Sequence, residues 1–354
     1  MSTSSWGDAR TQYFFELTPE RVLDAVEASG IQCTGRCVPM NSFENRVYDV
    51  EIEEGDSRSS AEKGDAPFAS SAYGRQRIVK FYRPGRWTKE QVLEEHQFVS
   101  DLARAEIPAI APLKFPNGET IATLSSGIHY CLFPKIGGRS PDEINDEGLI
   151  RVGRLLARIH QVGRERSAPS RPVLNPSTYG EANLEYLLEK NLIPSEFRER
   201  YALAAREICR TVDPWFRDAR MQRIHGDCHL GNLLFRGENA FFIDFDDMVI
   251  GPPVQDLWLL LPTRSRQKLE LLLEGYEEIG EFDRTSLRLI EPLRALRFIH
   301  YTGWVARRWD DPAFPQAFPQ FGSYRYWKDE TEDLEQQWHR IRLGQLFFGD
   351  EACD

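Results

Sequence analysis

Long apolar runs are missing from this 354-residue sequence. The longest near its centre, Leu257–Leu261, falls far short of the roughly 20 residues a bilayer-spanning helix requires. The first residues, Met-Ser-Thr-Ser-Ser-Trp-Gly-Asp, carry neither the basic stretch nor the apolar core that directs secretion. Positive charge is also short, since 44 Lys and Arg face 55 Asp and Glu for a formal net charge of −11. Duplex nucleic acid is held by clustered cations that displace counterions, so no nucleic-acid partner is expected. Cysteine is scarce: six, at 33, 37, 131, 209, 228 and 353, with no His or Cys pair at zinc-site spacing after Cys33 and Cys37. Dispersed thiols fit a reducing compartment. With 41% hydrophobic and 28% charged residues, the expectation is a soluble, cytoplasmic globular protein without a membrane partner. The length allows one large or two ordinary domains.

What the sequence does contain is concentrated in residues 224–247. His225-Gly226-Asp227 is followed after four residues by Asn232, then by an apolar segment Leu233–Phe235, a Gly-Glu-Asn turn, a second apolar run Ala240–Ile243, and Asp244. Two short apolar segments around a turn predict a hairpin, with Asp227 entering it and Asp244 leaving it. Carboxylate and carboxamide oxygens gathered at one end of a small sheet suit Mg²⁺, which takes one or two carboxylates and completes its shell with nucleotide phosphates. The order Asp, four residues, Asn, then a later Asp is that of the phosphoryl-transfer machinery of protein kinases. With Gly226 in the place of Arg, the stretch resembles the aminoglycoside phosphotransferase branch of the kinase-like superfamily. That resemblance implies Asp227 as the base that orients the attacking hydroxyl, and Asn232 and Asp244 as Mg²⁺ ligands.

Thr18, Pro19 and Gly30 bound a helix over 18–30. Val47–Ile52 alternates like a strand, behind a polar Asn41-Ser42-Phe43-Glu44-Asn45 turn. No G-x-G-x-x-G is present; backbone N–H groups of this turn and the Ser42 hydroxyl are candidates for phosphate contact, an ordinary hairpin turn being the alternative. Residues 53–75 are rich in Ser, Gly, Ala and acids and read as a long excursion. Arg77–Tyr82 is an apolar strand with one inward-pointing cation, Lys80, resembling the kinase strand whose Lys pairs ATP phosphates and a helix Glu. The helix Lys89–Ala105, capped by Thr88, offers Glu94 and Glu95 as partners. Strands follow at Thr120–Leu124 and Ile128–Phe133, then a hinge-like Pro134-Lys135-Ile136-Gly137-Gly138-Arg139. Helical patterns dominate thereafter, over 149–163, 186–189, 196–209, 254–261, 266–279, 287–310 and 329–346. His160 reads as a packed or capping residue, Asp256 as a structural one. The acidic Asp246–Asp247 pair would suit a cationic acceptor, and the C-terminal aromatics read either as core or as an acceptor surface.

Blocks outside the catalytic stretch carry a further resemblance. Asn41–Tyr48, Phe81–Trp87, Leu93–Phe98, His225–His229 and Arg307–Pro315 are similar to the corresponding segments of bacterial stress response kinases, cytoplasmic Ser/Thr protein kinases on the aminoglycoside-phosphotransferase fold. The resemblance implies an α+β, bilobal, protein-kinase-like fold: a β-rich N-lobe over 1–134, a hinge at 135–139 and a mainly helical C-lobe over 140–354. It implies ATP and Mg²⁺ as cofactors, Ser42, Lys80 and Glu95 at the nucleotide, Asp227 and Asp244 in catalysis, and Asn232 and Asp244 on the metal. It implies phosphorylation of protein Ser/Thr hydroxyls in a stress response, with autophosphorylation, by a monomer. A small-molecule kinase of the aminoglycoside, choline or homoserine type shares every catalytic residue and stands as the alternative.

Overall fold

The hydroxyl of Thr18 accepts a hydrogen bond from the Arg21 N–H at 3.4 Å, and Pro19 presets the first helical φ, so α1 runs Pro19–Ala28. The computed structural model describes residues 14, 17–40, 42, 44–53, 74–237, 239–261 and 265–344. After α1 come β1 (Cys33–Met40), β2 (Arg46–Ile52), β3 (Gln76–Phe81), α2 (Lys89–Arg104), β4 (Ala122–Thr123) and β5 (His129–Pro134). The strands form one antiparallel sheet in the order β1-β2-β3-β5-β4. Val22, Ala25 and Val26 of α1 pack on Tyr48, Val50, Val79, Phe81, Tyr130 and Leu132. Side chains alternate along a strand, so Lys80, between Val79 and Phe81, points to the opposite face. On that face its ladder partners are Val47 and Cys131. Thr88 and Gln91 form a reciprocal capping box at the start of α2.

The chain continues with α3 (Asp146–Glu165), α4 (Ala182–Glu189), α5 (Ser195–Arg217), β6 (Gln222–Ile224), β7 (Leu233–Arg236), β8 (Asn239–Phe242) and β9 (Val249–Gly251). It ends with α6 (Val254–Trp258), α7 (Arg266–Glu277), α8 (Ile290–Arg307), α9 (Ala313–Ala317) and α10 (Tyr324–Arg342). β7 and β8 form the hairpin expected from their apolar runs, with Leu233 opposite Phe242. β6 pairs with β9. Helices α3 and α7 meet backbone to backbone through two glycines. A Cβ on Gly153 would lie 2.1 Å from the Leu272 carbonyl oxygen, and one on Gly275 1.9 Å from that of Ile150.

The chain divides into two compact units, Met1–Asp142 with Gly231–Asp246, and Glu143–Leu230 with Asp247–Asp354. Chain order alone would leave 231–246 with the second part. Long-range contacts attach it to the first: Arg139 and Phe235 exchange backbone hydrogen bonds of 3.0 and 2.9 Å, and the Phe245 ring meets Phe98 edge-on at 5.8 Å. This is an α+β architecture, with an antiparallel sheet in the first unit and helices dominating the second.

Several expectations need correction. β1 was not anticipated, because Gly35 and Pro39 interrupt any alternation and its side chains are largely exposed. β9 is likewise a strand that three residues cannot announce. Helix α6 ends at Trp258 instead of running to Leu261. Helix α10 starts at Tyr324, not near Asp329, because the Ser323 hydroxyl caps the Tyr326 N–H at 3.2 Å. The C-terminal aromatics divide between core and surface: Phe314 and Trp327 are fully buried, Trp309, Phe318, Phe321, Tyr326 and Trp338 are half-buried and Tyr324 is exposed, while Trp304 packs on Tyr301, Phe314 and Phe318 with ring centroids at 5.6, 5.0 and 5.9 Å. Residues 54–73, the bulk of the long excursion, lie outside the described residues. Among the described residues no helix is long and apolar enough to cross a membrane.

Candidate active site

In the first unit, the sheet face that carries Lys80 is electrically crowded. Lys80 is only 6% exposed, and its Nζ lies 3.0 Å from Asp244 Oδ1, 3.3 Å from Asp246 Oδ1 and 3.6 Å from Glu95 Oε1. Burial pushes the ammonium toward neutrality, but Asp244, Asp246 and Glu95 more than offset this and hold its pKa well above the ordinary lysine value. Lys80 is therefore a permanent cation. Glu95 is buried beside it, with the Tyr82 hydroxyl 3.4 Å from Oε2, and that hydroxyl is 2.8 Å from His96 Nε2. Glu94, the neighbouring candidate, is half-buried, and it is Glu95 that forms the ion pair.

The hairpin brings Asn232 and Asp244 to one end. The Ile243 N–H donates to the Asn232 carbonyl at 2.9 Å, extending the ladder by one rung so that Asn232 and Asp244 flank it. Asp244 has a φ of 60°, the left-handed region that costs a non-glycine residue about 1–2 kcal/mol. Its side chain remains 51% exposed, so one end of this carboxylate meets Lys80 while the rest is open.

Asp246 departs from the expectation of a surface acid awaiting a cationic acceptor. It is 2% exposed and pairs with Lys80 and Arg86. Asn45 Nδ2 donates to the same carboxylate at 3.2 Å, while Asn45 Oδ1 accepts from the Arg83 N–H at 3.1 Å. Arg83 Nε then donates to the Glu44 carbonyl at 2.9 Å. The turn before β2 is thus clipped to the segment that follows β8. Ser42 lies half-buried in that turn, and its neighbours Asn41 and Phe43 lie outside the described residues.

In the second unit, Asp227 sits on a loop held from behind by Asp256. The fully buried Asp256 carboxylate accepts from the His225 N–H at 2.9 Å and the Gly226 N–H at 2.8 Å, with His160 Nε2 at 3.1 Å. His160 Nδ1 is 3.1 Å from the Tyr276 hydroxyl, which makes it the packed residue expected. Gly226 has a φ of 87°, and a Cβ there would lie 2.3 Å from the Asp247 carbonyl oxygen. No other residue fits this turn, which explains the Gly before Asp227. The Asp227 carboxylate meets Arg297 Nη1 at 3.1 Å and His229 Nε2 at 3.3 Å. Burial pushes its pKa up, but the His229 hydrogen bond and the Arg297 charge prevail and hold it well below the usual carboxylate range.

Sequence reasoning missed Arg86, Asn45 and Arg297 as parts of these clusters. Arg86 and Asn45 fall in the blocks that carry the kinase resemblance, which is a signal of a kind. Arg297 has none, standing 70 residues from its partner on a helix of unremarkable pattern.

The donor set fits Mg²⁺. Asp244 and Asn232 supply hard oxygens, and among the described residues no group of three His, Cys, Asp or Glu could by itself cage a metal ion. Mg²⁺ bound through one or two protein oxygens with nucleotide phosphates completing its shell requires no such cage.

This combination of a sheet-borne buried Lys paired with a helix Glu, an H-G-D loop and an Asn/Asp hairpin is that of a phosphotransferase of the kinase-like kind. The chain belongs to the phosphotransferase enzyme family, which matches residues 64–290. Its curated relatives narrow this. It is 39% identical to Stress response kinase A of Salmonella choleraesuis (strain SC-B67) over 328 residues, covering 92% of this chain and 93% of the relative. Stress response kinase A of Escherichia coli (strain K12) and Serine/threonine protein kinase RdoA of Salmonella typhimurium (strain LT2) match with the same identity and coverage. The fold is shared with amicoumacin kinase hAmiN, solved with AMP-PNP, Ca²⁺ and Ami, at a TM-score of 0.68 and 17% identity over 96% of this chain and 97% of that one. Spectinomycin phosphotransferase APH(9)-Ia, solved with ADP and its antibiotic, follows at 0.59 and 15% over 90% and 98%.

Proposed function

We propose that the chain is an ATP- and Mg²⁺-dependent Ser/Thr protein kinase that acts in a stress response in the cytoplasm, as a monomer, and also phosphorylates itself. The observation that supports this most is the buried Lys80 with Asp244 at 3.0 Å and Glu95 at 3.6 Å, a cation fixed where triphosphate charge needs neutralising. Mg²⁺, when bound, supplies further neutralisation of the phosphate oxygens; Asn232 and Asp244 are the residues to hold it, with Ser42 and its turn at the phosphates. Asp227 orients the acceptor hydroxyl. Its oxygen bonds to the γ-phosphorus as the bond to the β-phosphate oxygen breaks, ADP departs, and the hydroxyl proton passes late to the Asp227 carboxylate. A carboxylate held well below its usual pKa is a weak base, which favours this late transfer over early abstraction. The name of one curated relative, Serine/threonine protein kinase RdoA, supports protein Ser/Thr as the acceptor.

The test is incubation of the full chain with γ-labelled ATP and Mg²⁺, alone and with a generic basic protein, beside Asp227→Asn. The expected result is label on Ser or Thr in the wild type and a kcat lower by roughly two to four orders of magnitude in the variant, the usual span for loss of a general base. Near-normal turnover in Asp227→Asn would sink the assignment. ATP consumed only with an added amino sugar or small alcohol would move the chain to the small-molecule branch.

A further inference from the structure

The Asp227 carboxylate is gripped at both oxygens, Oδ1 by Arg297 from α8 at 3.1 Å and Oδ2 by His229 from its own loop at 3.3 Å. The side chains of Arg297 and Asp227 are 38% and 22% exposed, so the pair sits at a solvent-facing rim rather than in the core. A core salt bridge needs no access; a pair on the only carboxylate of the H-G-D loop, open to an incoming hydroxyl, is placed to govern how that hydroxyl is met. We propose that Arg297 is a positioning residue for phosphoryl transfer, fixing the plane of the Asp227 carboxylate and keeping it ionised. This rests on the reading of Asp227 as the proton acceptor.

The two partners differ in a way that assigns the constant share to Arg297. A guanidinium stays charged at every working pH and donates through a rigid planar fork, whereas an imidazole changes charge across the physiological range. The orientation that survives pH change is the one Arg297 imposes. His225 accepts the Asp227 N–H at its Nδ1, at 3.3 Å, and so supports the loop backbone. Asp256 and Asp227 both act on the buried Cys228 thiol and raise its pKa, and Tyr179, on the π-helical segment Pro176–Glu181, feels Asp227 and Arg297 together with Asp247 and Arg171.

The test compares Arg297→Met, which keeps length and loses charge, with Arg297→Lys, which keeps charge and loses the fork. Transfer to a generic basic protein is measured at saturating ATP from about pH 3 to 9, a window whose acid end reaches the ordinary carboxylate range, with folding checked by circular dichroism at each pH. Arg297→Met is expected to lower kcat roughly 10- to 100-fold, the scale of misplacing a reacting group by about an ångström, with KM for ATP within about twofold. Its kcat is also expected to acquire an acid limb lying about 1–3 pH units above that of the wild type, the usual effect of one neighbouring opposite charge. Arg297→Lys is expected to restore the limb and part of kcat. A folded Arg297→Met with an unmoved limb overturns the proposal, whether kcat is normal or reduced, since a purely structural role would leave the limb in place. Should that variant not fold by circular dichroism, Arg297→Lys decides: reduced kcat with an unshifted limb and unchanged melting supports the proposal, and wild-type kcat overturns it. Asp227→Asn in parallel separates the two levels. If it retains turnover, the reading of Asp227 itself fails; if it is inactive while Arg297→Met behaves as wild type, only the role of Arg297 fails.

Discussion

Replacing Asp256 with alanine should remove a large share of the stability of the second unit. Its carboxylate accepts two backbone N–H groups, from His225 at 2.9 Å and Gly226 at 2.8 Å, and is itself fully buried. A hydrogen bond to a charged acceptor contributes about 1.5–3 kcal/mol, and a buried donor left without one costs a similar amount. Two such donors give a loss of about 3–6 kcal/mol, a large share of the roughly 5–15 kcal/mol that holds a typical domain. Asp256→Asn keeps one acceptor oxygen and turns an NH₂ toward the other N–H, so its loss should be about half as large. The assay is equilibrium urea unfolding followed by tryptophan fluorescence, because every tryptophan except Trp6 and Trp87 falls in the second unit. An Asp256→Ala protein within about 1 kcal/mol of wild type would refute the reasoning, since the pair of donors would then have found other partners. The same variant should lose activity beyond its loss of fold, because the Gly226 N–H is the anchor immediately before Asp227.

Two further perturbations probe the charges. Lys80→Met strands Glu95 and part of Asp246 without their shared cation, which should cost about 3–5 kcal/mol by the rule for breaking a buried pair from one side, alongside a collapse of ATP use; wild-type stability in thermal unfolding would contradict it. Burial raises the Glu330 carboxyl from 4.5 to about 7, against the hydrogen bond from Thr302. Between those values the folded protein keeps a proton that the unfolded chain releases, so stability is fully present below about pH 4.5 and falls as pH rises toward 7. The group is half-buried, so the slope should amount to roughly 1–3 kcal/mol across that window. Glu330→Gln should flatten it in urea unfolding at pH 5 and 7.5, and an unchanged slope would show that another group carries the proton.

The residues that the sequence by itself determined are those whose geometry is local. Asp227, Asn232 and Asp244 stand at fixed offsets along one short segment, so a turn and a hairpin suffice to bring Asn232 and Asp244 to one end. Thr18 and Thr88 cap the helices that follow them through contacts three residues away. Strand alternation likewise was enough to put Lys80 on the face opposite Val79 and Phe81. The tertiary structure decided everything that depends on which distant group fills a given space. Edge strand β1, with Gly35 and Pro39 in it, exists because β2 offers it a ladder, not because its own pattern demands one. Asp246 looks like any surface acid in the sequence and becomes a buried counter-charge only when Lys80, Arg86 and Asn45 converge on it from as far as 201 residues away. Besides these ion pairs, segment 231–246 meets the first unit through two backbone hydrogen bonds to Arg139 and a ring contact to Phe98, neither of which has a sequence signature. Arg297 reaches Asp227 from α8 because helix packing aims it there. Backbone chemistry is written along the chain at short range, whereas ion pairs and burial are settled by chain folding at long range, and the electrostatics of this site belong to the second kind.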